Sequence, residues 1–367
     1  MASPAVRDNW RAPMRARREN REGRRPRLRA VPAVAGGAAL VVGAVVLAVT
    51  GALGAFGDDD AGDRRPDTVD AARAGTAAVI ASTSSRKGGG SGFVFDASDG
   101  LIVTNFHVIN GGTDFRVEVD GRARVAEIVG AAPCADLAVL RVEDRRGLEQ
   151  LPLGDQSGLE RGDHVAAVGF PGVPAVEPTL ARARGVVASA ETELLATGGT
   201  LQHPGPRFLP DYPRVIQTNA ALLPGYSGGP LLDAGGRVVG VNTVMGTAKP
   251  GAPGEVQSYA IGIDRAKEII GVLRTGESLA WFGTGLAFPP RPGGPRGVVA
   301  APIVSGPLAA REPRGKLLVT AIDGERVGGG FPSYCQATAG IRSGATATLE
   351  VTAPPGGRRM RLEIPFE

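Results

Sequence analysis

The chain has 367 residues, enough for two or three domains and too many for one small one. Gly (55) and Pro (29) are abundant while aromatics make up only 5%, which argues for a turn-rich, strand-rich protein and against a helical bundle. The net charge of +4 is a property of one tail: residues 1–30 hold ten Arg against Asp8, Glu19 and Glu22. The remainder is slightly acidic, so nothing marks the folded part as nucleic-acid binding.

Residues 1–30 read as a basic cytoplasmic tail. Residues 30–57 carry no charged side chain, and Asp58-Asp59-Asp60 closes the stretch. A helix needs roughly 20 apolar residues to cross a bilayer, so 31–56 is predicted to be a transmembrane helix. Arg-rich flanks stay on the cytoplasmic side, which puts the rest of the chain outside the cell membrane in a single-pass topology. A cleavable signal peptide is the rival reading, although its apolar region normally runs to about 7–15 residues. Residues 57–70 are polar, acidic and contain Pro66, as a linker would be.

From 71 to 276 short apolar and β-branched runs alternate with turn signals. Examples are Gly92–Phe95, Leu101–Thr104, Phe115–Val119, Asp136–Val142, His164–Val168 and Arg237–Val241, separated by pairs such as Asp99-Gly100 and Asp120-Gly121. Such spacing predicts a sandwich or barrel, and about 200 residues suits two small β-barrels. One helix is predicted over Asp264–Leu273, with Asp264 as its N-cap. After the Pro/Gly run 289–295 short strands resume, and 279–367 reads as a separate domain. Cys134 and Cys335 fall in different domains and are expected as two thiols, though an outside location permits a disulfide. There is no CxxC, HExxH or close His pair, so neither a metal site nor a cofactor is expected.

The chemistry centres on Gly225-Tyr226-Ser227-Gly228-Gly229-Pro230. A Gly-x-Ser-x-Gly turn exposes a serine hydroxyl, and two unrelated hydrolase architectures use it. In one the histidine follows the serine in sequence. Here His107, His164 and His203 all precede Ser227, which leaves the order His–Asp–Ser. His107 stands just past a predicted strand and Asp136 opens another. His164 reads as a surface strand position and His203 as a loop residue.

Three motifs together resemble the HtrA (DegP-like) family of trypsin-like serine proteases. They are Ser91-Gly92-Phe93-Val94-Phe95-Asp96 leading into Thr104-Asn105-Phe106-His107-Val108, then Asp136-Leu137-Ala138-Val139-Leu140, then Gln217–Ala221 with Pro224–Leu231. The resemblance implies a chymotrypsin-like double β-barrel followed by a PDZ-like domain. It implies that Ser227 is the nucleophile, His107 the base and Asp136 its orienting partner, with backbone N–H groups of Gly225 and Ser227 as the oxyanion hole. It also implies that Tyr259-Ala260-Ile261 pairs with substrate backbone and that Trp281-Phe282-Gly283-Thr284 forms a carboxylate-binding loop for peptide C-termini. Unfolded or damaged envelope proteins are the implied substrates, with small aliphatic P1 residues, and a homotrimer is the family's frequent assembly. Tyr226, Asn219 and Phe106 depart from the usual family residues. A catalytically silent protease-fold scaffold or chaperone, binding peptides through the PDZ-like domain, is the alternative.

Overall fold

A computed structural model describes residues 71–172, 178–194, 212–246, 257–287, 297–302, 315–328, 330–353 and 357–366. The tail, the span at 31–56, the linker and His203 lie outside the described residues. Among the described residues no helix is long and apolar enough to cross a membrane.

The first six strands are β1 (Thr76–Ser82), β2 (Lys87–Asp96), β3 (Leu101–Thr104), β4 (Asp114–Val119), β5 (Arg122–Ala132) and β6 (Leu137–Val142). They close into an antiparallel barrel in the order β1-β2-β3-β6-β5-β4. The alternation is plain in β4, where Phe115, Val117 and Val119 are buried while Asp114 and Arg116 face solvent. Asp120 and Gly121 both take positive φ (48° and 71°), as a tight two-residue hairpin into β5 requires. A short helix, α1 (Phe106–Ile109), follows β3.

The second barrel contains β7 (His164–Gly169), β8 (Ala181–Leu194), β9 (Tyr212–Thr218), β10 (Pro230–Asp233), β11 (Val238–Gly246) and β12 (Gln257–Gly262). Its closed order is β10-β11-β12-β9-β8-β7. His164 is exposed at the start of β7, as expected. The helix α2 (Ile263–Leu273) bridges the barrels. Ile263, Ala266, Ile270 and Leu273 recur at helical spacing and are buried with Phe93 and Leu137 of one barrel and Val215 and Leu232 of the other. The expected cap at Asp264 is corrected. Strand β12 passes straight into the helix through Gly262, the observed N-cap, and Asp264 lies inside the first turn. A carboxylate there still faces the positive end of the helix.

The remaining strands are β13 (Thr284–Ala287), β14 (Val298–Pro302), β15 (Leu317–Ile322), β16 (Glu325–Arg326), β17 (Thr346–Thr352) and β18 (Arg359–Pro365), with helix α3 (Phe331–Ala337). They form a sheet ordered β13-β14-β15-β17-β18, with β16 paired to β15. Phe282, Tyr334 and Phe366 fill its core, with Phe282 in ring contact with both of the others. This core is continuous with that of the first barrel. Phe106 meets Trp281 edge-on at 6.2 Å between ring centroids. The two cysteines are joined in a disulfide with Cα atoms 5.6 Å apart, which corrects the expectation of two thiols. Folding lays α3 against the 3-10 turn Pro133–Ala135, so residues 201 positions apart in sequence meet.

Candidate active site

The first barrel supplies an imidazole and a carboxylate. Asn105 leaves β3 in extended conformation, and α1 then places His107 at its second residue. Asp136 follows the Pro133–Ala135 turn with φ of 53°, a left-handed conformation that an aspartate tolerates better than most side chains. Its carboxylate is fully buried and takes His107 Nδ1 at 2.8 Å through Oδ2. The Oδ1 atom accepts the backbone N–H of His107 at 2.9 Å. Asn105 Nδ2 donates to the Asp136 carbonyl at 2.8 Å and ties the two turns together.

The second barrel adds two more donors, Thr243 Oγ1 and Tyr212 OH, each 2.9 Å from Oδ2. Burial would raise the Asp136 carboxyl. The facing His107 ring, its two hydrogen bonds and the Thr243 hydroxyl outweigh that effect and hold it below the ordinary carboxylate range. The same Thr243 offers its carbonyl oxygen to Ser227 Oγ at 3.1 Å. Thr243 therefore touches both parts of the site, Ser227 through its carbonyl and Asp136 through its hydroxyl.

The turn around Ser227 is stapled by Ser91 of β2. Ser91 N–H donates to the Ser227 carbonyl at 2.7 Å, and Ser91 Oγ donates to the Gly225 carbonyl at 2.6 Å. That hydroxyl also accepts Phe170 N–H at 2.9 Å. The Pro224 carbonyl accepts Gly172 N–H at 3.1 Å and the Tyr226 carbonyl accepts Gly229 N–H at 2.9 Å. In a planar trans peptide N–H points opposite C=O, so the amides of Gly225 and Ser227 face away from these partners. Neither amide donates to a carbonyl among the described residues.

The three departures from the expected pattern have physical explanations. The Tyr226 ring is buried in the second-barrel core with Ile216, Leu231 and Ala260. Asn219 Oδ1 accepts Val186 N–H at 2.7 Å, a role that needs an acceptor oxygen and no charge. Phe106 supplies the contact to Trp281 described above.

One expectation is revised. Strand β12 pairs with β11 on one side and with β9 on the other, so Tyr259-Ala260-Ile261 has no free backbone edge and is buried. The open edge lies on β11. Its partner β10 reaches only Val241, Asn242 bonds Gly228 and Gly229, and from Thr243 onward the side away from β12 is unpaired among the described residues. Trp281, Phe282 and Gly283 lead into β13, which Thr284 opens, and all four are buried, with the Trp281 ring against Phe106 of the first barrel. The β13 edge beside them is held by Asn110, whose Oδ1 accepts Leu286 N–H and whose Nδ2 donates to the Leu286 carbonyl, both at 2.8 Å. Thr243, Tyr212 and Asn110 carry no motif of their own, and nothing in the sequence points to them.

Residues 90–241 match the trypsin-like peptidase domain family. The chain is 38% identical over 202 residues to a probable periplasmic serine endoprotease DegP-like of Halomonas elongata, covering 54% of this chain and 38% of that protein. It is 38% identical over 196 residues to the mitochondrial serine protease HTRA2 of Bos taurus, covering 53% and 38%. It thus spans well under half the length of these curated relatives. Among solved structures it is similar to the HtrA-type protease AlgW with tripeptide, at 27% identity and a TM-score of 0.46 over 82% of this chain and 95% of that one. The HtrA-like, trypsin-like character implied by the motifs is borne out by these relatives.

Proposed function

We propose that this chain is a membrane-anchored serine endopeptidase in which Ser227, His107 and Asp136 act as a triad. The observation that supports it is that Thr243 touches both Ser227, through its carbonyl, and the Asp136 carboxylate that holds His107, through its hydroxyl. A serine hydroxyl is a weak nucleophile at neutral pH and needs a base. The Ser227 proton, resting on the Thr243 carbonyl, turns to His107 Nε2 as Oγ attacks the scissile carbonyl. Asp136 fixes the imidazole tautomer and stabilises the imidazolium. The free amides of Gly225 and Ser227 receive the oxyanion, an interaction whose loss typically costs on the order of 10²–10³ in turnover. His107 then protonates the leaving amine. Water, deprotonated by the same imidazole, releases the acyl group and restores Ser227.

The open β11 edge from Thr243 to Gly246 gives an extended peptide backbone partners next to Ser227. Small aliphatic P1 residues and unfolded envelope proteins are the proposed substrates. The span at 31–56 tethers the protease outside the membrane. We read the C-terminal sheet as PDZ-like, with its β13 edge closed by Asn110 until a peptide displaces it.

The test is casein cleavage by the full chain in detergent against Ser227→Ala. The variant should lose activity by on the order of 10³ or more. Equal cleavage by both would contradict the assignment. No cleavage by either, with a saturating hydrophobic C-terminal peptide present, would favour the silent-scaffold reading.

A further inference from the structure

Asp136 Oδ2 accepts three hydrogen bonds, from His107 Nδ1 at 2.8 Å, Thr243 Oγ1 at 2.9 Å and Tyr212 OH at 2.9 Å. The tyrosine is the first residue of β9 and comes from the barrel opposite to Asp136. Its side chain is 3% exposed, so no bulk water competes for the phenol proton. Burial and the Asp136 charge both push the phenol well above its ordinary value, which keeps it a donor wherever the protein is folded.

We propose that Tyr212 is a positioning residue that tunes the base strength of His107 through Asp136. This rests on the triad reading above. Donors that share one carboxylate oxygen compete for its electron density. Donation from Tyr212 therefore weakens what Oδ2 can give the imidazolium that forms when the Ser227 proton arrives. The same bond holds the carboxylate against rotation. The Tyr212 bond therefore bears on how readily the imidazole takes the Ser227 proton.

Among the described residues, the titrating groups hydrogen-bonded to the carboxylate are His107, from α1, and Tyr212, from β9. Thr243 of β11 does not titrate, and Cys134 in the turn before Asp136 is held in the disulfide.

Tyr212→Phe deletes the hydroxyl and keeps the ring. The acid limb of kcat/KM against pH, read with a quenched fluorescent peptide, should move to higher pH by about half a unit. Incorporating 3-fluorotyrosine at position 212, a stronger donor of nearly the same size, should move it to lower pH. The same two changes on a Ser227→Ala background should move the titration of the low-field His107 Nδ1 proton resonance in the same directions. That second readout needs no turnover, so it separates this inference from the protease assignment. Midpoints that stay fixed in both substitutions, or that move in the same direction, would overturn it.

Discussion

Cys134, bonded to Cys335 of α3, stands two residues before Asp136. The bond thus pins α3 to the turn that carries the Asp136 carboxylate, and it closes a loop with a sequence separation of 201. Chain-entropy reasoning puts the stabilisation from so long a loop at about 5 kcal/mol as a ceiling. Guanidinium unfolding of Ser227→Ala, which excludes self-digestion, should therefore show a clearly lower midpoint with reductant present. Coincident curves would mean that the bond contributes nothing to docking of the two parts.

Asn110 closes the β13 edge with two hydrogen bonds to Leu286, each worth about 1 kcal/mol. Asn110→Ala removes both without touching the barrel core. The Leu286 amide, which donates to Asn110 Oδ1, should then exchange with solvent at least several-fold faster. Unchanged exchange would show that the edge is protected by something else.

Two glycines with positive φ make a matched pair. Gly228 has φ of 87°, and a Cβ there would sit 2.1 Å from the Ser91 carbonyl oxygen. Gly276 has φ of 94° with no atom within 4 Å of such a Cβ. Gly276→Ala should cost about 1 kcal/mol, the conformational term alone. Gly228→Ala must also displace the Ser91 staple, so peptide cleavage should collapse while Gly276→Ala keeps it. Comparable activity in the two would refute the staple.

Much of the barrels was legible because turn chemistry and apolar alternation agree there. Leu101–Thr104 and the Asp120-Gly121 hairpin are local signals that tertiary structure left intact. Ser227, His107 and Asp136 are legible as candidates because each sits in a motif, and the order of the histidines removes one architecture. The supporting shell was not. Tyr212 and Thr243 act through a carboxylate from the other barrel, a contact made by barrel packing and by no sequence spacing. The family resemblance puts substrate pairing on β12, whereas hydrogen bonding on both of its sides leaves the free edge to β11. The disulfide was missed because thiols in separate domains give no signal until the cores merge.

The lowered Asp136 carboxyl makes stability depend on pH in a defined direction. Its folded value lies below its unfolded one, so its contribution is fully present above the unfolded carboxyl range. It is lost as pH falls through the folded value, because the unfolded chain then binds the extra proton first. In the Ser227→Ala background, urea midpoints between pH 6 and pH 2 should fall more steeply with Asp136 than with Asp136→Asn. Parallel slopes would mean that the carboxylate is not selectively stabilised in the folded state.

The central claim is that Ser227 is a nucleophile activated by His107. It is tested most directly by treating the full chain with a fluorophosphonate and locating the adduct by mass spectrometry. One adduct is expected, on Ser227, lost or slowed by orders of magnitude in His107→Ala. An unlabelled Ser227, or labelling that is indifferent to His107→Ala, would contradict it.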